Sequence, residues 1–138
     1  MKTFRYLVVK YKPSENDKPM VNIGIIIQAN DEIDCKFNND LGKVKQIIGN
    51  DAMINELIFN NLETTFKNRF KEKGFLITDK STGQQKLLEY TNEEYLDYLS
   101  TNLLNNYYFN NKGSIDAENI SDGLVRLYKN FVDPLFNQ

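Results

Sequence analysis

The tripeptide Asp34-Cys35-Lys36 carries the sharpest catalytic spacing in the chain. On a strand, an acid and a lysine two positions apart point to the same face, where a carboxylate can hold Mg²⁺ and an ammonium can orient a water. That is the chemistry of a small metal-dependent nuclease. Such a site needs a further acid on the neighbouring strand, and Asn22 to Ala29 offers none. The simpler reading makes Asp34 and Lys36 the solvent face of a half-exposed strand. The rest of the composition narrows the options: the chain has no histidine and one cysteine. Ser-His-Asp and Cys-His arrangements, clusters of zinc ligands and an imidazole base are therefore excluded. Ser81-Thr82-Gly83 is an isolated turn, and Lys80 precedes it instead of following a glycine as in a phosphate-binding loop. The residues point to a non-enzyme with no cofactor and no metal.

Two features suit nucleic acid. Lys67, Arg69, Lys71 and Lys73 alternate with Asn68, Phe70 and Glu72, and Tyr95, Tyr98, Tyr107 and Tyr108 are rings on which bases could stack. Each has a structural reading too. Cations in the last turn of a helix complement its dipole, and aromatics at these spacings fill cores. With 17 basic and 19 acidic residues and a net charge of −2, the molecule has no global field to gather polyanions.

Hydrophobic spacing yields the elements that must position these residues. In the 138-residue chain, alternation predicts strands from Thr3 to Tyr11, from Val21 to Ala29 and from Glu32 to Asn38. Phe4, Tyr6 and Val8 face one way and Leu7, Val9 and Tyr11 the other, so the first strand is expected to be central and covered on both sides. Cys35 alternates with charged neighbours and reads as a small buried hydrophobe. Helical spacing then takes over. Asp40 and Gly49 bracket a short helix, and a long helix is expected from Asp51 to Lys73, with Ile54, Leu57, Ile58, Leu62, Phe66 and Phe70 on its buried face. Phe75 to Thr78 and Lys86 to Leu88 read as short strands. A capping box of Thr91 and Glu94, with a staple between Tyr90 and Tyr95, opens a helix to Asn105. Tyr107 to Phe109 reads as a strand, Asn110 to Ser114 as a turn, and Asp116 as the cap of a last helix. The order implies an α+β domain spanning 1–138, with an antiparallel sheet of about three to five strands and helices packed on it. The chain enters its first strand without a signal-like apolar stretch, and no segment reaches membrane-spanning length, so a cytoplasmic location is expected, in a bacterium or phage.

The start of the chain carries the most specific pattern. Tyr6, then Lys10-Tyr11-Lys12-Pro13, a polar loop, and Val21-Asn22-Ile23-Gly24-Ile25-Ile26 resemble the opening of the bacterial domain-of-unknown-function family numbered 3037. The likeness is looser through the helical middle and returns around Phe109 to Gly113 and Leu124 to Val132. A glutamate common before the family's asparagine and a histidine common in its closing turn are both missing here. The resemblance implies the same α+β fold, no catalysis, and a protein partner. Genes of this kind often neighbour HipA-like serine/threonine kinases of toxin–antitoxin modules, so an accessory or regulatory subunit of such a kinase is implied. The alternatives are a phage or defence-related nucleic-acid-binding protein and the small metal-dependent nuclease. Tyr6, Tyr11, Pro13, Asn22 and Gly24 are the candidate binding residues. Each also has a fold-defining reading: Asn22 bonding its neighbouring backbone, Gly24 marking a bulge or close approach, Pro13 ending a strand. The polar loop from Lys12 to Met20 is long for a hairpin connection and is expected to form part of the partner surface.

Overall fold

The computed structural model describes residues 1–13, 19–38, 40–49, 54–101 and 106–133. Its centre is a four-stranded antiparallel sheet in the order β3-β2-β1-β6, built from β1 (Lys2–Tyr11), β2 (Val21–Gln28), β3 (Ile33–Phe37) and β6 (Tyr107–Ala117). A separate two-stranded hairpin pairs β4 (Gly74–Thr78) with β5 (Gln85–Glu89). Helices α1 (Leu41–Ile48), α2 (Glu56–Asn60), α3 (Leu62–Phe70), α4 (Glu93–Thr101) and α5 (Ile120–Phe131) complete the described elements.

The expected two-sided burial of β1 is borne out. Leu7, Val9 and Tyr11 belong to a core shared with α1 to α4 and the hairpin, whereas Phe4 and Val8 belong to a second core under α5. Pairing to β2 on one side and β6 on the other makes β1 the strand to which both cores attach. The alternation of β2 changes phase where its register with β1 shifts between Val9 and Lys10. Ile23 and Ile26 face the larger core, while Ile25 and Ile27 face α5. An extra residue in one strand does this, because side chains alternate with period 2. Gly24 sits at that bulge, and a Cβ there would lie 2.5 Å from the Phe37 ring.

Capping chemistry sets several helix starts. Asp40 Oδ1 accepts from Lys43 N–H at 3.2 Å, and Gly49, at φ 105°, ends α1 in a conformation glycine tolerates. Both match the sequence reading. Three expectations are corrected. The helix anticipated from Asp51 to Lys73 is broken at Asn61, which closes α2 and opens α3; its Nδ2 donates to Leu57 O at 2.8 Å. The break turns Leu57 and Ile58 outward, 75% and 48% exposed, and buries Phe59 in their place. Residues 51–53 lie outside the described residues. The turn anticipated from Asn110 to Ser114 is instead part of β6, with an irregularity opposite Tyr6 and Val8. The last helix is capped by Asn119, whose Oδ1 accepts from Asp122 N–H at 2.8 Å, while Asp116 lies in β6 and accepts a bond from the Thr3 hydroxyl. No helix among the described residues is long and apolar enough to cross a membrane.

Candidate functional site

The five residues singled out by the N-terminal pattern are divided among several structural jobs. Asn22 Nδ2 donates to Phe131 O at 2.9 Å, satisfying a carbonyl at the C-terminal end of α5. The bond runs to a distant helix, where the sequence suggested neighbouring backbone. Tyr6 packs on the Phe131 ring with centroids 5.8 Å apart, so Tyr6 and Asn22 meet at one residue. Gly113 stands across from Tyr6, and a Cβ there would approach the Tyr6 hydroxyl to 2.8 Å. Tyr11 is buried against Tyr107 at 5.1 Å, next to buried Pro13. Gly24 admits the Phe37 ring. Tyr6 and Asn22 therefore serve the α5 side, and Tyr11 and Gly24 the opposite core. Of the loop from Lys12 to Met20, residues 14–18 lie outside the described residues. Its base is held where Lys12 N–H donates to Asn106 O at 2.8 Å and Asn106 Nδ2 donates to Lys12 O at 2.9 Å.

The nuclease spacing is realised on a strand, but its two ends are engaged elsewhere. Asp34 Oδ1 accepts from Cys35 N–H at 2.8 Å, and Lys36 Nζ lies 4.5 Å from the centre of the Tyr128 ring. Opposite them on β2 stand Ile27 and Ile25. Among the described residues no cluster of three or more acidic, cysteine or histidine side chains is placed to hold a metal. Cys35 is fully buried, and burial pushes its thiol well above the ordinary range. The basic run is partly neutralised, since Lys67 pairs with Glu63 at 3.5 Å and Lys73 with Glu89 at 3.4 Å. The tyrosines considered for base stacking are dispersed: Tyr95 and Tyr98 lie together, Tyr107 lies with Tyr11, and Tyr108 stands beside Tyr107 on β6, opposite Lys10.

Where α3, the hairpin and α4 meet, the structure builds a corner with a wet face and an aromatic interior. Gln28 anchors it. Fully buried at the end of β2, its Nε2 donates to Tyr90 O at 2.6 Å and Asn92 O at 2.8 Å, and its Oε1 accepts from Arg5 Nε at 2.9 Å. One amide thereby fastens the segment before α4 to the main sheet. Asn92 Oδ1 accepts from Glu94 N–H at 2.9 Å, the bond that the sequence assigned to Thr91, and the expected staple forms with the Tyr90 and Tyr95 rings 5.0 Å apart. Beside that pair is a cavity of about 330 Å³ lined by Arg69, Phe75, Tyr90, Tyr95, Tyr98 and Leu99. The hairpin presents Phe75 and Leu88 inward. On the opposite side the cross-strand partners Leu76 and Leu87 are 63% and 45% exposed.

Sequence reasoning missed both faces of this corner. The staple and the alternation of Phe75-Leu76-Ile77 against Lys86-Leu87-Leu88 were the available signals. No protein-family model, curated protein or solved structure matches the chain.

Proposed function

We propose that this domain is a non-catalytic interaction module whose hairpin docks a protein partner. The observation that carries the reading is the pair Leu76 and Leu87. They are directly opposed on two short strands, both largely exposed, on a hairpin with no further strand on either side among the described residues. Paired leucines on the outer side of a two-stranded sheet lose hydration cost when a partner covers them, and the free strand edges add backbone donors and acceptors. Salt bridges from Lys73 to Glu89 and from Lys86 to Glu94 frame the leucines with charge, the polar rim expected around an apolar docking patch. The resemblance of the N-terminal pattern is what favours a HipA-like kinase as that partner, with this chain as its accessory or regulatory subunit.

Affinity capture from the native host tests the proposal with three forms: wild type, Leu76→Ser/Leu87→Ser, and a chain with residues 14–18 scrambled. A defined protein recovered with wild type and lost with the leucine variant supports the hairpin as the docking surface. Loss with the scrambled loop as well extends that surface to the loop. Recovery of a kinase establishes the partner class, and co-purification of nucleic acid in place of protein overturns the proposal.

A further inference from the structure

The cavity beneath the hairpin has chemistry that protein docking does not use. Its walls are rings held at fixed angles: Phe75 and Tyr98 with centroids 5.1 Å apart, and Tyr90 nearly perpendicular to Tyr95 at 88°. Tyr90 and Tyr95 are 5% and 2% exposed, and among the described residues neither hydroxyl has a hydrogen-bond partner, which leaves it to water or a ligand. Among the described residues the buried side-chain oxygen without a partner is that of Tyr107, which does not line this cavity. The Tyr90 and Tyr95 hydroxyls thus keep access to water at an open space. At the mouth stands Arg69. Its guanidinium lies 5.7 Å over the Phe66 ring and makes no ion pair among the described residues, unlike Lys67 and Lys73 on the same basic run. Stacking leaves the donor edge of a guanidinium free to take a bidentate acceptor.

From this combination we infer that the cavity is a binding site for a small aromatic anion, a single planar ring bearing a carboxylate or phosphate. The ring packs edge or face against Phe75, Tyr90 and Tyr98. Its anionic group meets Arg69, and a polar ring substituent replaces water at the Tyr90 or Tyr95 hydroxyl. The volume of about 330 Å³ sits at the low end of ligand sites, which suits one substituted ring and excludes an extended cofactor. The neighbouring cavity of about 290 Å³ has a different character: Arg5 there shares the lining with Glu93 and Asp97, so an anion meets opposing charge. This inference is independent of the docking reading, because the cavity is lined from the inward side of the hairpin and Leu76 and Leu87 lie on the outer side.

Phenyl phosphate is the direct probe, titrated into the intact chain and followed by ring-proton NMR with labelled Tyr and Phe. Inorganic phosphate serves as the anion without a ring, and benzyl alcohol as the ring without an anion. The expected result is saturable shifts confined to Phe75, Tyr90, Tyr95 and Tyr98, strongest with phenyl phosphate and absent with inorganic phosphate. Arg69→Gln, at an exposed position that leaves the fold intact, is expected to weaken phenyl phosphate about tenfold, the loss of one charge-assisted contact, and to leave benzyl alcohol unchanged. Phenylacetate in place of phenyl phosphate distinguishes a carboxylate site from a phosphate site. The inference is overturned if phenyl phosphate causes no saturable shift, if the shifts map away from these rings, or if Arg69→Gln binds it as tightly as wild type. The leucine variant of the hairpin is expected to bind phenyl phosphate normally, so failure of docking and failure of this site are separable.

Discussion

The opening strands and the hairpin corner use their distinctive residues in opposite ways. In β1 and β2, each residue of the specific N-terminal pattern is absorbed by the fold. Asn22 ties down a helix end, Gly24 admits a ring, and Tyr6 and Tyr11 pack on aromatic neighbours. At the hairpin corner, leucines stay exposed, two phenol hydroxyls are left to solvent, and an arginine is stacked without a carboxylate among the described residues. Specific sequence is thus concentrated where packing is demanding. The buried hydroxyl without a partner among the described residues, that of Tyr107, lies there with Tyr11, whereas exposed apolar and unpaired cationic groups collect at the corner. Sites of function are expected among the second kind.

Substitutions sharpen the contrast, beginning with the largest effect. Gln28→Leu strands the carbonyl of Tyr90, removes one of the two donors to Asn92 O and takes away the acceptor of Arg5 Nε. Urea unfolding is expected to show a loss of about 3 kcal/mol, the cost of leaving a buried acceptor and a charged donor unpaired. Gly24→Ala drives a Cβ into the Phe37 ring and is expected to cost about 2 kcal/mol by overpacking. Adding Phe37→Leu should return part of that loss, so a double-mutant cycle that is purely additive would show the clash to be absent. Asn22→Ala removes one bond at a helix end and is expected to cost about 1 kcal/mol by the same measurement.

Alkaline titration probes both regions together. Burial raises the hydroxyls of Tyr90, Tyr95 and Tyr107 above their ordinary value, and burial with the nearby Asp133 and Glu63 carboxylates pushes Tyr128 up to about 12. Raised values mean that the folded chain keeps protons the unfolded chain releases. The stability these groups contribute is whole below about pH 10, the unfolded value, and falls as pH rises toward the folded values. With no histidine in the chain, melting temperature is expected to be flat through neutral pH and to drop above pH 10. A fall centred near neutrality would contradict the assignment.

Much of the architecture was legible because β1 and β3 alternate cleanly, because β2 is a continuous apolar run, and because Asp40 and Gly49 bracket a helix. The break at Asn61 was hidden by a stripe from Ile54 to Phe70 that fits a continuous helix. Only tertiary burial of Phe59 decides that Leu57 and Ile58 face outward. Asn110 to Ser114 has turn composition, yet it pairs as an edge strand, where small and polar residues are tolerated. For the corner, the sequence supplied the contact between Tyr90 and Tyr95 but not its companions. Arg69, Phe75 and Tyr98 come from α3, β4 and α4, and the folded chain alone brings them together.

The central claim is most directly tested by measuring partner recovered per folded molecule for two variants under one set of conditions. Leu76→Ser/Leu87→Ser is expected to melt within about 0.5 kcal/mol of wild type, as exposed substitutions do, and to lose the partner. Gly24→Ala is expected to lose stability and, at a temperature where it remains folded, to recover the partner in full. A leucine variant that keeps the partner while folded Gly24→Ala loses it would place the docking surface on the opening strands and contradict the account.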